Sequence, residues 1–189
     1  MSKQRSSQLR IIGGRWRGRR LSFPDTGTVR PTPDRVRETL FNWLSPVIAG
    51  ARCLDLFAGS GALGVEALSR GAASVVFVER DARLARALQD NLARLEAVDA
   101  RVIQAETMAW LEDNTDSFDV ALLDPPFRQG LLAPVCEKLA TGHWLSAHAL
   151  VYLEAARGET PRLPSGWELH REKTAGEVVF RLFRTYPAS

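Results

Sequence analysis

Three short segments of this chain place acids, glycines and an aromatic ring at spacings that can do chemistry. The first is LDLFAGSGALG at 54–64, in which Asp55 precedes the run Gly59-Ser60-Gly61-Ala62-Leu63-Gly64. That run matches G-x-G-x-x-G. Glycines there permit a tight turn and close approach of a ligand, and a following helix offers unpaired N–H groups. The pattern alone is weak, because structural turns with two glycines are common. Two acids sharpen it. Asp55 stands ahead of the loop, where a carboxylate repels a diphosphate but suits a cationic amino group. Glu79 follows Gly59 by 20 residues, where an acid accepts hydrogen bonds from two ribose hydroxyls. Acid, glycines and acid describe a nucleoside bearing an ammonium group, and S-adenosylmethionine fits. The expected cofactor contacts are Asp55, Phe57, Ala58, Gly59, Ser60, Gly61, Gly64, Glu79 and Arg80. A Walker A loop is excluded, since neither GKS nor GKT occurs.

The second segment is Asp124-Pro125-Pro126-Phe127. Consecutive prolines cannot continue a sheet, and they stiffen the chain. Asp124 offers a carboxylate, the Asp124 and Pro125 carbonyls offer further acceptors, and Phe127 offers a ring face. A planar exocyclic amine on a nucleobase needs such a set. A tight strand-end turn with a core phenylalanine is the plainer alternative, and it loses weight because the segment follows the first motif. The third segment, Ala105-Glu106-Thr107, could border an adenine, and helix capping by Glu106 or Thr107 accounts for it equally well. His143, His148 and His170 have no metal-ligand spacing with Cys53 or Cys136, so no metal is expected. His143 and His148 read as surface-loop residues. Cys53 reads as a packed strand residue, and no G-x-S-x-G elbow is present.

These segments need strand ends to hold them. Apolar runs at 51–57, 74–79, 100–105, 118–124 and 149–155 read as strands, and helical periodicity fills 62–69, 81–95, 108–113 and 131–140. Residues 167–173 and 178–183 flank Gly176 and read as an antiparallel hairpin. Alternating strands and helices predict an α/β, Rossmann-like, doubly wound sheet with right-handed crossovers. Ligands of such sheets sit at the carboxyl ends of the strands, where all three segments fall. Upstream, 9–12 and 19–23 predict a small N-terminal β-hairpin. RPTPD at 30–34 opens a helix with Val36, Leu40, Trp43 and Leu44 on one face, and Thr32 or Asp34 can cap it. The expected division is a basic extension at 1–45 and a catalytic domain at 46–189.

The charge is uneven. Residues 1–37 hold 10 Lys and Arg against two acids, a net +8, while the remainder is −5. The arginines alternate with apolar residues in IIGGRWRGRRLSF, unlike an ordinary solubilising tail, which points to a structured arm for a polyanion. The expected RNA contacts are Arg10, Arg15, Trp16, Arg17, Arg19, Arg20, Arg30 and Arg35. Strand alternation would put Arg15, Arg17 and Arg19 on one side. Trp16 could stack on a base or fold onto the hairpin. Trp43, Trp110, Trp144 and Trp167 read as core or core-edge residues. Neither a signal peptide nor an apolar run of about 18 residues is seen, and two cysteines make no disulfide framework. A reducing cytoplasm and no membrane partner are expected.

LDLFAGSGALG, Glu79 and DPPF resemble motifs of class I S-adenosylmethionine-dependent methyltransferases. Together with LRIIGGRWRGRRL (9–21), RPTPDRVRETLFNWL (30–44), DPPFRQGLL (124–132) and LHREKTAGEVVFRLF (169–183), they resemble the RsmD family. The resemblance runs in order from about residue 9 to 184. It implies a seven-stranded sheet ending in the antiparallel hairpin. It also implies methylation of the N2 amine of one guanine in bacterial 16S ribosomal RNA, within a partly assembled small ribosomal subunit. An adenine-N6 or cytosine-amine methyltransferase is the nearest alternative, since DPPF serves any planar exocyclic amine. An NAD(P)-binding oxidoreductase leaves Asp55, DPPF and the basic arm without explanation, and a non-enzymatic RNA-binding protein with a relic Rossmann domain is a more distant alternative. One site per chain makes a monomer the expectation.

Overall fold

The strand Ser74–Glu79 is buried at Val75, Val76, Phe77, Val78 and Glu79. Such a run suits a parallel strand covered on both faces. The computed structural model describes residues 6–27, 31–112 and 116–186. Its elements are β1 (Ser6–Arg10), β2 (Arg20–Pro24), α1 (Asp34–Leu44), β3 (Arg52–Asp55), α2 (Ala62–Ser69), β4 (Ser74–Glu79) and α3 (Ala82–Arg94). They continue with β5 (Ala100–Gln104), α4 (Thr107–Trp110), β6 (Phe118–Leu123), α5 (Leu132–Thr141), β7 (Leu145–Ala156), β8 (Trp167–Ala175) and β9 (Val178–Thr185).

The main sheet has seven strands in the order β5-β4-β3-β6-β7-β9-β8. The first five are parallel, and β9 and β8 join antiparallel. The order reverses between β3 and β6, the switch point at which open α/β sheets bind ligands. The expected doubly wound sheet and its C-terminal hairpin are therefore present. Alternation along β7 sends Leu150 and Tyr152 into the layer shared with α1, α2 and α3, and Val151, Leu153 and Ala155 into the layer under α5. No helix among the described residues is long and apolar enough to cross a membrane.

The N-terminal hairpin is a separate two-stranded sheet. It shares a hydrophobic cluster with the main domain, in which Leu9, Ile11, Trp16, Leu21 and Phe23 sit with Leu84 and Leu88 of α3. Polar contacts seat it. The buried Glu66 carboxylate on α2 accepts from Ile12 N at 2.9 Å and Gly13 N at 2.7 Å. Ser69 Oγ donates to the Gly13 carbonyl at 2.6 Å and accepts from Trp16 N at 3.0 Å. A Cβ on Gly14 would stand 1.8 Å from the Ser69 carbonyl oxygen, so only glycine allows this approach.

Four local expectations change. Residues 11–19 form a loop between β1 and β2 rather than strand, so strand alternation does not sort Arg15, Arg17 and Arg19. Pro33, not Thr32 or Asp34, occupies the N-cap position of α1, without a side-chain cap; Asp34 pairs with Arg37 and Thr32 is drawn inward. The buried face of α1 includes Phe41 and Arg37, while Trp43 is half-buried and stacks on Phe180 at 5.3 Å. His148 lies in β7 rather than in a loop, at φ +63° where the register with β6 shifts. Trp43 is a core-edge residue, as expected, and the remaining tryptophans pack as expected too: Trp110 meets Trp144 at 5.0 Å, and Trp167 meets Phe183 at 6.3 Å.

Candidate active site

The carboxyl ends of β3, β4 and β6 open onto one cavity of about 440 Å³. Asp55, Phe57, Ala58, Gly59 and Ser60 line it from the loop after β3, and Glu79 and Arg80 from the end of β4. Glu106 and Thr107 enter from the start of α4, and Asp124, Pro125, Pro126 and Phe127 follow β6. The arm adds Thr26, Pro31 and Thr32. The fold thus brings the three predicted segments to one wall-to-wall site, and the segment after β2 closes one side.

Gly61 and Gly64 are the exceptions, for they do not line the cavity. A Cβ on Gly61, which has φ +81°, would meet Leu88 Cδ1 at 2.4 Å; one on Gly64 would meet Phe77 Cε1 at 2.2 Å. Their role is close packing of the loop and α2 against α3 and β4, not approach of a ligand. The Gly64 N–H, in the first turn of α2, donates to Asp55 Oδ2 at 2.9 Å. The helix start that would hold a diphosphate is occupied by a carboxylate, which disfavours the dinucleotide reading.

Asp55 is buried. Burial, opposed by its hydrogen bond from Gly64 and reinforced by the charge of Glu79, pushes its carboxyl up to about 7. The folded state therefore holds a proton that the unfolded chain has lost, and this group's contribution to stability falls as pH rises from about 4 towards 7. A cationic ligand reverses the balance by favouring the ionised form. Its affinity should weaken by up to about tenfold per pH unit below about 7. Calorimetry with S-adenosylmethionine across this range should show the slope in wild type and a flat profile in Asp55→Asn.

Glu79 braces the loop and borders the cavity at once. Its Oε2 accepts from Gly59 N at 2.7 Å and its Oε1 from Asp81 N at 2.8 Å. Each oxygen keeps a lone pair for a ribose hydroxyl. Glu106 caps α4 through Ala109 N at 2.9 Å, and Thr107 Oγ1 donates to the Leu56 carbonyl at 2.8 Å. Both have local structural partners as well as a place on the cavity wall.

Asp124 sits partly exposed at the cavity and is joined to residues that sequence reasoning does not place in the site, Thr32 reading there only as a helix cap. Thr32 Oγ1 lies 3.2 Å from Asp124 Oδ2 and 3.0 Å from Glu154 Oε1. Tyr152 Oη donates to the same Glu154 oxygen at 2.9 Å. Burial, then the Glu154 charge, holds the Asp124 carboxyl well above the ordinary carboxylate range. Burial also raises Glu154, against hydrogen bonds from Tyr152 and Thr32. Arg37 positions the hydroxyl, since its Nε donates to the Thr32 carbonyl at 3.1 Å. Arg37 is itself buried, bonded to Asp34 at 2.6 Å and to the Arg10 carbonyl at 3.0 Å. The one sequence signal for Glu154 was an acid inside the otherwise apolar run of β7.

The arm presents Arg10, Arg15, Arg17, Arg19, Arg20 and Arg35 as exposed side chains. Arg30 lies outside the described residues. Arg19 also donates to the Arg94 carbonyl at the end of α3, at 2.8 Å, and Arg10 pairs with Asp34 at 3.3 Å. Trp16 takes the second of its two expected roles. It is 7% exposed, and the Arg15 guanidinium lies 4.1 Å from its ring centroid, so no face is open to a base. Arg37 likewise leaves the basic surface.

Residues 9–184 match the family model described as Conserved hypothetical protein 95. The chain is 51% identical over 180 residues to the ribosomal RNA small subunit methyltransferase D of Escherichia coli K12, covering 95% of this chain and 91% of that protein. It is 44% identical to the protein of the same name from Haemophilus influenzae, covering 94% of each. Among solved structures, the Escherichia coli protein yhhF superposes with TM-score 0.90 at 49% identity, covering 96% of this chain and all of that one. A 16S rRNA N2 methyltransferase of T. thermophilus, solved with AdoMet and guanosine, superposes with TM-score 0.68 at 25% identity, over 98% of this chain and 51% of its own.

Proposed function

Because the chain belongs to the Conserved hypothetical protein 95 family, which includes the ribosomal RNA small subunit methyltransferase D proteins, we propose that it transfers a methyl group from S-adenosylmethionine to the exocyclic N2 amine of one guanine in bacterial 16S ribosomal RNA. The substrate in this reading is an assembled or partly assembled small ribosomal subunit in the cytoplasm, and the enzyme acts as a monomer. Residues 1–45 serve as the RNA-binding extension and 46–189 as the catalytic domain.

The observation that carries the reading is the placing of Asp124-Pro125-Pro126-Phe127 on the same cavity as Asp55 and Glu79. The residues fit the cofactor. Asp55 suits its ammonium group, Glu79 its ribose hydroxyls, and the loop from Phe57 to Ser60 lies between them. When bound, S-adenosylmethionine supplies a methyl group already activated on a sulfonium. What remains for the protein is positioning and electrostatics. A guanine amine is a poor nucleophile because its lone pair delocalises into the ring. Asp124 and a carbonyl of the proline turn accept its two N–H bonds, which favours pyramidalisation and aims the lone pair. Asp124 also faces the positive charge that develops on nitrogen. Phe127 is 40% exposed at the mouth of the site, so its ring is available to stack the base.

Nucleoside mass spectrometry of 16S ribosomal RNA tests the assignment. A strain lacking the gene should lose one N2-methylguanosine, and purified protein should restore it on small subunits from that strain. Loss of a methylated adenine or cytosine instead would move the target to another amine.

A further inference from the structure

The cluster of Asp124, Thr32, Glu154 and Tyr152 holds more acid than the positioning of one amine requires. Thr32 Oγ1 lies within hydrogen-bond distance of both Asp124 Oδ2, at 3.2 Å, and Glu154 Oε1, at 3.0 Å. A hydroxyl has one proton and donates to one oxygen only. The second contact is a hydrogen bond only when that carboxyl carries a proton and donates to Thr32. The geometry therefore calls for one proton on the pair of acids and one net negative charge across them. Glu154 Oε1 already accepts from Tyr152 Oη at 2.9 Å. With Thr32 it has two donors, which suits the ionised partner. Asp124 then holds the shared proton on Oδ2 and keeps Oδ1 for the amine.

We propose that Glu154 is the final acceptor of the proton released by the methylated amine, reached from Asp124 through the Thr32 hydroxyl. This rests on the methyltransferase reading above. The amine nitrogen forms a bond to the methyl carbon, and the carbon–sulfur bond breaks with its electron pair left on sulfur. The resulting ammonium N–H breaks as its proton passes to Asp124 Oδ1. The proton on Oδ2 moves to Thr32 Oγ1, and the original Thr32 proton moves to Glu154 Oε1. The pair passes from one negative charge to none, and no proton enters bulk water during the step. Asp124 is the catalytic residue, while Thr32 and Glu154 act through it.

The surroundings agree. Asp55, from the end of β3, is the other acid whose charge acts on Asp124. Tyr152 faces Glu154 from its own strand, and the residue paired across from Glu154 on β9 is Phe180, which does not titrate. No water-exposed base is needed, because Glu154 is only 3% exposed and Thr32 only 4%. Burial holds both acids above their ordinary range, which keeps a proton on the pair near neutral pH.

Two measurements decide it. The first is single-turnover methyl transfer on small subunits across pH, with cofactor affinity measured beside it. Glu154→Gln keeps the shape and the hydrogen-bonding capacity but cannot take the proton. It should slow transfer by about 100-fold or more, the scale of a lost proton acceptor, with cofactor affinity within about threefold. Thr32→Val should lose a similar factor, and Thr32→Ser should recover most of it. The second needs no turnover: infrared titration of protonated carboxyls in the free protein. In an Asp55→Asn background, which removes the other carboxyl held up to about 7, the protein should show a protonated-carboxyl band near neutral pH, and its midpoint should move to lower pH when Glu154→Gln is added, because the neighbouring negative charge is gone. A transfer rate in Glu154→Gln within twofold of wild type, or an unmoved midpoint, would overturn the proposal. Absence of methyl transfer in the wild type itself would instead overturn the methyltransferase reading, and the infrared titration would still decide whether the acids share a proton.

Discussion

Asp124→Ala should retain cofactor affinity within a few-fold and lose methyl transfer by about 1,000-fold, within the range measured when a transition-state electrostatic partner or a proton acceptor is removed. The two readouts separate because of where the residue sits. Asp124 follows β6, and its partners in the fold are Thr32 and Glu154, whereas the proposed cofactor contacts Asp55 and Glu79 come from β3 and β4. The same substitution should leave the free protein at least as stable as wild type near neutral pH. The Asp124 carboxyl is held well above its ordinary range, so the folded state keeps a proton there that the unfolded chain releases. Stability conferred at this position is lost as pH rises through the unfolded value, and removing the acid removes that loss. Thermal unfolding at two pH values and single-turnover transfer together check both halves. Wild-type transfer by Asp124→Ala would mean that the proline turn is only a turn.

The arm should prove separable from the cofactor site. Arg15, Arg17 and Arg19 are exposed on the loop between β1 and β2, and the chain beyond residue 37 carries net −5. A polyanion therefore has to be held from the arm. Arg15→Gln/Arg17→Gln/Arg19→Gln removes three charges while leaving polar side chains on the loop beside Trp16. For single-stranded nucleic acid each lost phosphate contact flattens the salt dependence by about 0.7 in logarithmic slope, so the triple variant should lose about 2. Binding to small subunits should weaken markedly at low salt, while calorimetry with S-adenosylmethionine should give the wild-type value. Wild-type affinity and slope would reduce the arm to a solubilising segment and shift substrate selection to the Phe127 turn and the start of α1.

Much of the architecture was legible because it follows from local periodicity. Parallel strands buried on both faces read as apolar runs, as in Ser74–Glu79, and the helix Ala82–Arg94 shows its leucine stripe. The Asp55, glycine and Glu79 spacing was legible for the same reason: a strand, a turn and a helix have set lengths, so the next strand end returns to the same place. What the spacing could not reveal is the use of each group. Gly61 and Gly64 serve contacts with Leu88 and Phe77, which belong to other elements.

The residues hidden from the sequence are those whose meaning depends on distant partners. Thr32 has the composition of a helix cap, yet its hydroxyl bonds lie 92 and 122 residues away, at Asp124 and Glu154. Arg37 counts as one more positive charge in a basic segment until the docking of the hairpin on α2 buries it beside Glu66. Trp16 has an even choice between a base and the core until Arg15 and the α2 contacts close over it. Chain order determined which strands and loops exist and which end of the sheet holds the chemistry, because periodicity and turn residues act over a few positions. Tertiary packing alone decided which polar groups lost water and met one another, because desolvation and hydrogen bonding depend on distance in space and not along the chain.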